Sequence, residues 1–439
     1  MSNYPNPKLE KTIYQKKINN KIALFNYEQP SGIINVDKKA LAILNLCNGQ
    51  ETIDSISKKL RIKKSLLISF LNKLSKYHII SFSNQIKEEK NKTLNCWLHI
   101  TNKCNLNCRY CYINKSNNDM DFSMAKKIVD SLLTTANKNN FDQILITFSG
   151  GEPLLKLSLI KEIITYLQKE STIKINYRIL TNGTLINNEI IDIIKKYNID
   201  IRVSLDGVKK YNDKNRYYHN KQGSYDKVIK NILLLKASGI TPTINIVITK
   251  QNINGLNKIT KKLIKLNLPF KYSLEKSNNN IKPETLKIKN KLIRKIKKAL
   301  NIIKKAYQKE KFTANFGIDN LSFNNNTNQN CAIGKNTIAI NENGQIALCA
   351  MSFNKIVDNI QKTKDIIAKT KDNPISQFKI TKLNDCQNCL WKKVCNNGCP
   401  ILNMNLNNNL YQKNCYCLVY QKIIPLLYEI EVIRTSAKK

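Results

Sequence analysis

Thirteen cysteines stand among 439 residues, and three of them crowd one short loop. Cys104, Cys108 and Cys111 form a CxxxCxxC array within Thr101-Asn-Lys-Cys-Asn-Leu-Asn-Cys-Arg-Tyr-Cys-Tyr112. Directly upstream, Cys96-Trp-Leu-His-Ile100 reads as a strand that delivers three thiolates into the loop. A structural zinc site wants a fourth ligand nearby, and a fully ligated four-iron cluster wants a fourth cysteine. The next two dozen residues supply neither. Three thiolates suit a four-iron cluster with one iron left open to a substrate or cofactor. A zinc loop, or three unrelated thiols, is the alternative.

A second group lies near the C-terminus. Cys331 is followed by Gly344 and Cys349, then by Cys386, Cys389, Cys395 and Cys399, then by Cys415. A pair of zinc ribbons would use similar spacings. Cys417 follows Cys415 by two residues, and in an extended segment both would share one face. No apolar signal region opens the chain, and no apolar run approaches the roughly 20 residues of a membrane span. The expected location is the cytoplasm, where so many cysteines argue for metal over disulfides. The three histidines, His78, His99 and His219, offer little to a histidine-centred site. His99, on the first strand, reads as structural.

Polar residues cluster in three further places. Ser149-Gly150-Gly151-Glu152-Pro153 combines two glycines, which let backbone approach a ligand closely, with a carboxylate able to accept from an ammonium group. Thr181-Asn182-Gly183 and Ser204-Leu-Asp-Gly207 follow, with Asp213 and Arg216 just beyond. Ordinary loop polarity explains Ser204, Asp213 and Arg216 nearly as well as ligand contact does.

The elements that must position these residues alternate. From about 93 to 280, strands near 143–148, 173–180, 199–204, 243–248 and 270–273 are separated by helical patterns near 124–133, 157–168, 187–196, 224–237 and 253–266. Repeated βα units predict an α/β fold with parallel strands and helices outside. Six such units make an open, partial (β/α)6 TIM-like barrel. Ligands in such folds sit at the carboxyl ends of the strands, and the polar motifs fall at those ends. Residues 281–324 read as a helical bridge, with an apolar stripe of Leu292, Ile296, Leu300, Ile303 and Tyr307. That stripe fits core packing better than a membrane surface. Residues 325–439 hold the second cysteine group.

Residues 1 to about 10 are expected to be disordered. Residues 12–88 read as a separate winged-helix-like unit: strands at 22–27 and 32–36, a helix capped by Asp37, a second opened by Thr52, a third carrying Leu66 to Leu74, and a closing strand at Ile79-Ile80. A charged linker, 87–92, leads on. The formal net charge is +42. Such a charge invites a polyanionic partner, yet the basic residues are spread throughout and accompany abundant Asn and Ile, as a compositional bias would give.

Together the CxxxCxxC loop and the GGEP turn about 40 residues later resemble the radical SAM superfamily. The seven C-terminal positions resemble its SPASM extension, and the "Asn-Gly … Thr-Ile-Asp-Ser-Ile" run resembles the peptide-recognition element of enzymes that mature ribosomally made peptides (RiPPs), the thioether-forming sactipeptide and ranthipeptide type among them. The resemblance implies a 4Fe-4S cluster on Cys104, Cys108 and Cys111 whose open iron chelates S-adenosyl-L-methionine (SAM). It implies SAM contacts from Tyr110, near the adenine, and from Ser149, Gly150, Gly151, Glu152, Thr181, Asn182, Ser204, Asp213 and Arg216. It also implies two auxiliary iron–sulfur clusters, one on Cys386, Cys389, Cys395 and Cys415, the other on Cys331, Cys349 and Cys399. Asn325 stands where many relatives have one more cysteine, so that second site is expected to be open unless Cys417 fills it.

The implied protein is an oxidoreductase-type enzyme that modifies a precursor peptide, bound through its leader, by joining cysteine sulfur to a peptide carbon. Its electron donor would be of the flavodoxin or ferredoxin type. Ala350 stands where sulfatase-maturing relatives carry an Asp base, which argues against that chemistry. Carbon–carbon cross-linking is the alternative, and a cluster-holding DNA-binding regulator the more distant one; complete SAM motifs argue against nucleic acid as the partner.

Overall fold

The computed structural model describes residues 6–18, 21–82, 92–276, 283–324 and 331–436. The linker at 87–92 lies almost wholly outside them, and Asn325 wholly so.

The N-terminal unit begins with β1 (Lys8–Leu9), β2 (Ile13–Ile18), β3 (Lys21–Asn26) and β4 (Ile34–Val36). Helices α1 (Lys38–Leu46), α2 (Ile53–Leu60) and α3 (Lys64–Lys76) follow, then β5 (Ile80–Ser81). Asp37 and Thr52 cap α1 and α2 through their side-chain oxygens, as the sequence predicts. Two strands were not legible. β1 pairs antiparallel with β5, so Lys8 and Leu9 are ordered where disorder was expected. β2 pairs along its whole length with β3. Its alternation is masked by two lysines and a glutamine on one polar edge strand.

The β2–β3–β4 sheet is buried on both faces. Leu24, Ile34 and Val36 face the three helices. Ala23 and Phe25 belong to the main core of the molecule. Phe25, Tyr14, Phe323, Trp391 and Tyr428 form one aromatic cluster with ring centroids 5.2–6.4 Å apart. Lys16 adds an ion pair to Glu429 at 2.6 Å. The unit is thus seated on the rest of the chain and not merely tethered to it.

The core follows the expected alternation: β6 (Thr93–His99), α4 (Phe122–Lys138), β7 (Gln143–Ser149), α5 (Leu157–Glu170), β8 (Lys174–Thr181), α6 (Asn188–Lys196), β9 (Asp200–Ser204), a short α7 (Lys209–Asn212), α8 (Tyr225–Ala237), β10 (Thr243–Ile248), α9 (Leu256–Lys265) and β11 (Phe270–Leu274). The six strands are parallel and lie in chain order, forming the partial TIM-like barrel. Their inward residues are fully buried aliphatics such as Ile146, Ile179, Val203 and Ile246, the pattern of strands covered on both faces.

The sheet runs past both expected limits. β12 (Phe316–Ile318) continues it in parallel beside β11. At the other edge β13 (Thr337–Ile340) pairs in parallel with β6, followed by β14 (Gln345–Ala347) and β15 (Asp358–Asn359). Helix α10 (Lys289–Gln308) buries Leu292, Ile296, Leu300, Ile303 and Tyr307. It packs against α9 and the C-terminal helix Cys417–Ser436, so the stripe is core and not a membrane face. No helix among the described residues is long and apolar enough to cross a membrane.

Candidate functional site

The cysteine loop leaves the carboxyl end of β6 and is held from three sides. The Asn107 and Arg109 amides donate to the Tyr217 and Asn215 carbonyls at 2.7 and 2.9 Å. The Asp119 carboxylate accepts from Thr101 and from Lys103 and Lys156 at 2.6–2.8 Å. The third clamp is the Ser149–Glu152 turn. Its Gly151 and Glu152 amides donate to the Thr101 and Lys103 carbonyls at 2.7 and 2.8 Å. A Cβ on Gly150 would lie 2.4 Å from the Thr101 oxygen, and one on Gly151 2.1 Å from the Lys103 oxygen. The backbone that these glycines admit is that of the cysteine loop itself.

Glu152 is fully buried and turns inward. It accepts from the Thr181 hydroxyl and the Asn182 amide, both at 2.7 Å. Burial raises its pKa to about 7, against the pull of those donors. It ties the end of β7 to the end of β8. Ser149 is buried and donates to the Leu98 carbonyl at 3.4 Å. The Asn182 amide side chain bonds Asn105 at 2.8 Å and points a second hydrogen at the Cys104 sulfur, 3.9 Å away. The Leu106 amide also donates to that sulfur, at 3.4 Å.

Beyond β9, Asp206 is fully buried and accepts from the Tyr110 hydroxyl at 2.5 Å and the Val247 amide at 3.0 Å. Arg216 donates to the same Tyr110 hydroxyl at 2.6 Å and lies 3.9 Å from Asp206. Burial raises the Cys108 thiol, and the charge of Arg216 opposes that rise. Buried Arg216 Nε has no partner among the described residues. Asp213 is otherwise occupied: it caps α8 by accepting from the Tyr225 amide at 2.9 Å. Ser204 is half-buried as the last residue of β9. Asp206 escaped the sequence reading as a site residue, although its motif at the strand end pointed to it.

These residues fit the implied cluster and cofactor. Three thiols share one loop, two N–H groups aim at the first sulfur, and the charge of Arg216, whose Nε–H is unpartnered among the described residues, acts on the second thiol. Hydrogen bonds to sulfur tune iron–sulfur centres, and an unpaired buried guanidinium N–H suits a carboxylate. Among the described residues no three His, Cys, Asp or Glu side chains are grouped to hold a single metal ion.

The C-terminal cysteines fall into two sets, not quite those expected. Cys386, Cys389, Cys395 and Cys417 line one small crevice beside Trp391. The Cys417 thiol interacts electrostatically with each of the other three. Cys415, expected as the fourth member, does not line that crevice. The reason is local: Cys415 and Tyr416 form a turn, not an extended segment, and Cys417 opens the C-terminal helix. The shared-face argument for the pair therefore does not apply. Cys331, Cys349 and Cys399 interact with one another and with Lys276. Burial opposes the Lys276 charge, but Asp319, 3.0 Å away, holds the ammonium positive.

A cavity of about 480 Å³ is lined by the first loop and by the residues that follow Cys349. Tyr110, Cys111 and Tyr112 form one wall; Lys276, Ala350 and Met351, the last two directly after Cys349, form another. His99, Asn102 and Glu342 line it as well, and none of the three was a sequence candidate.

Residues 98–265 match the Radical SAM superfamily. An uncharacterized protein of Methanocaldococcus jannaschii is 43% identical over 169 residues, 38% of this chain and 57% of that protein. The radical SAM cyclopropyl synthase TigE of Paramaledivibacter caminithermalis is 25% identical over 272 residues, 55% of this chain and 57% of TigE. The chain spans about half the length of the curated relatives it matches. Among solved structures, anSMEcpe with bound AdoMet and a peptide superposes with a TM-score of 0.66 at 18% identity, covering 79% of this chain and 99% of that one. Streptococcus suis SuiB bound to its precursor peptide SuiA gives 0.55 at 19% identity, covering 93% and 98%. These likenesses show the fold, a radical SAM barrel with further segments on both sides.

Proposed function

We propose that this chain is a radical SAM enzyme that matures a ribosomally made precursor peptide by joining cysteine sulfur to a peptide carbon. The observation that carries the reading is the cavity with the CxxxCxxC loop on one wall and the Cys349 segment on another. Two cysteine sets would then flank one substrate. Of the relatives named above, SuiB is described with a bound precursor peptide, and it covers nearly this whole chain.

In this reading Cys104, Cys108 and Cys111 hold the SAM-binding 4Fe-4S cluster. When bound, that cluster and SAM supply a 5′-deoxyadenosyl radical that removes hydrogen from a peptide carbon. The Arg216 Nε–H would be free for the SAM carboxylate, the Ser149–Glu152 turn would serve its ammonium group, Tyr110 its adenine and Ser204 its ribose. Asp213 positions the loop that carries Arg216. Cys386, Cys389, Cys395 and Cys417 hold one auxiliary cluster. Cys331, Cys349 and Cys399 would hold the other, and with Cys417 placed beside Cys386, Cys389 and Cys395 three protein thiolates would leave that cluster able to take a substrate thiolate. The cavity fixes sulfur and carbon side by side and excludes water. Electrons enter from a flavodoxin- or ferredoxin-type donor.

The N-terminal unit binds the leader by strand addition to an edge of its sheet. Two features support this: β2 and β4 are edge strands, and Leu66 on α3 is 65% exposed. TigE, a cyclopropyl synthase by name, favours carbon–carbon bond formation as the second reading.

The test is the triple variant Cys104→Ala, Cys108→Ala, Cys111→Ala after anaerobic reconstitution. It should lose about four irons and all reductive SAM cleavage. Unchanged iron and cleavage would end the assignment. Mass spectrometry of a modified peptide then separates sulfur–carbon from carbon–carbon linkage.

A further inference from the structure

The walls of the cavity carry a charge pattern at odds with the rest of the chain. In a protein of net charge +42, three carboxylates line it: Glu275, Glu284 and Glu342. Two are engaged. Glu275 accepts from the Thr285 amide, and Glu284 from the Gln251 amide, each at 3.2 Å. Two basic side chains line it too: Lys276, held by Asp319, and Arg109, whose charge acts on Glu275.

Glu342 differs. It is 7% exposed and forms no ion pair with Lys or Arg among the described residues. Its Oε1 accepts from the Asn102 amide at 2.7 Å and, more weakly, from Asn343 at 3.5 Å. A carboxylate only accepts, so Asn102 must turn its nitrogen toward Glu342 and its oxygen toward His99. His99, 2% exposed, therefore donates from Nε2 at 2.7 Å, and its buried Nδ1 is left bare. Phe353 packs edge-on against the ring. The backbone reinforces this placement: β13 lies parallel to β6, so Glu342 emerges at the same strand ends as the cysteine loop. Asn102 is itself part of that loop.

A buried carboxylate without a cation is costly unless something else meets it. Here Oε1 is fixed by Asn102, and Oε2, not sealed from solvent, belongs to a residue that lines the cavity. We infer that Glu342 accepts the proton that a substrate thiol must lose, with Asn102 and His99 as positioning residues. This rests on the thioether reading. The substrate C–H and S–H bonds break, and C–S and O–H bonds form. The hydrogen atom goes from carbon to the 5′-deoxyadenosyl group from SAM, the proton from sulfur to Glu342, and one electron to an auxiliary iron–sulfur cluster. Ala350 lines the same cavity as Glu342 and offers no base.

The probe is the set of synthetic Cys-containing peptides encoded by open reading frames beside this gene, incubated with the reconstituted full chain, SAM and dithionite. E342Q should lower cross-linked product by about 100-fold, the scale of a lost proton acceptor, and raise 5′-deoxyadenosine formed per product. E342D should retain part of the rate, and added formate should rescue E342A, which a merely structural role would not allow. Product from E342Q within about threefold of wild type, or E342A unresponsive to formate, overturns the inference. A wild type that cleaves SAM but cross-links none of the peptides overturns the maturase reading and the inference with it.

Discussion

Arg216 donates from Nη1 to the Tyr110 hydroxyl at 2.6 Å, and that hydroxyl in turn donates to Asp206 at 2.5 Å. The third cysteine's aromatic neighbour is therefore locked between a buried cation and a buried anion. The Arg216 and Asp206 side chains are 10% and 0% exposed. Removing one charge leaves the other uncompensated. Asp206→Asn should destabilise the chain by about 3 kcal/mol, as broken buried pairs do. Urea unfolding of the two proteins measures this, and a difference below about 1 kcal/mol would count against the pairing.

Asp119 gives a pH signature. Burial opposes its charge, but hydrogen bonds from Lys103, Lys156 and Thr101 outweigh it and lower its pKa from 3.8 to about 2. A depressed folded pKa means stability that is present above about pH 4 and lost as pH falls through 2. Wild type should exceed Asp119→Asn by roughly 2 kcal/mol at pH 7, with the gap closing between pH 4 and 2. A gap that is the same at pH 7 and pH 2 would show that the carboxylate is not held as described.

The crevice beside Trp391 separates two neighbouring cysteines. Cys417→Ser should lose the cluster signal of the Cys386 set, whereas Cys415→Ser should keep it. Iron analysis and low-temperature spectroscopy of the two variants decide the point, and the reverse outcome would restore Cys415 as the ligand.

Leu66 tests the N-terminal unit without unseating it. Deleting the unit would remove Tyr14 and Phe25 and bare Phe323, Trp391 and Tyr428, so truncation confounds binding with folding. Leu66→Glu, at a 65% exposed position, should leave thermal stability within about 0.5 kcal/mol. It should weaken binding of a labelled precursor about tenfold, a loss of roughly 1.4 kcal/mol. Undiminished binding would remove α3 from the leader surface.

The parallel core was legible because each strand is a short, nearly continuous run such as Thr243–Ile248 and each helix shows its period. The cysteine spacings were equally plain. What local sequence could not convey is the choice of a distant partner. Glu152 reads as an acceptor from an ammonium group, and nothing local shows that Thr181, 29 residues on, also donates to its carboxylate. Cys415 and Cys417 look equivalent until a turn and a helix start distinguish them. Asn102 and Glu342 are 240 residues apart, and neither stands in a pattern that announces the other. β2 was missed because Lys16 and Lys17 interrupt its alternation, one of them held by Glu429.

The pairing of β13 with β6 has a bearing on biosynthesis. The Asn95 side chain and amide reach the Asn336 carbonyl, 241 residues later. On a ribosome adding roughly 5–20 residues each second, the first barrel strand waits about 12–50 s with one edge unsealed. Contacts of such separation also close slowly once both partners exist. Through that interval Leu94, Cys96 and Leu98 belong to a strand lacking its neighbour. A nascent chain of this kind is a natural client for holding factors, and cooling or slowed translation would lengthen its vulnerable period.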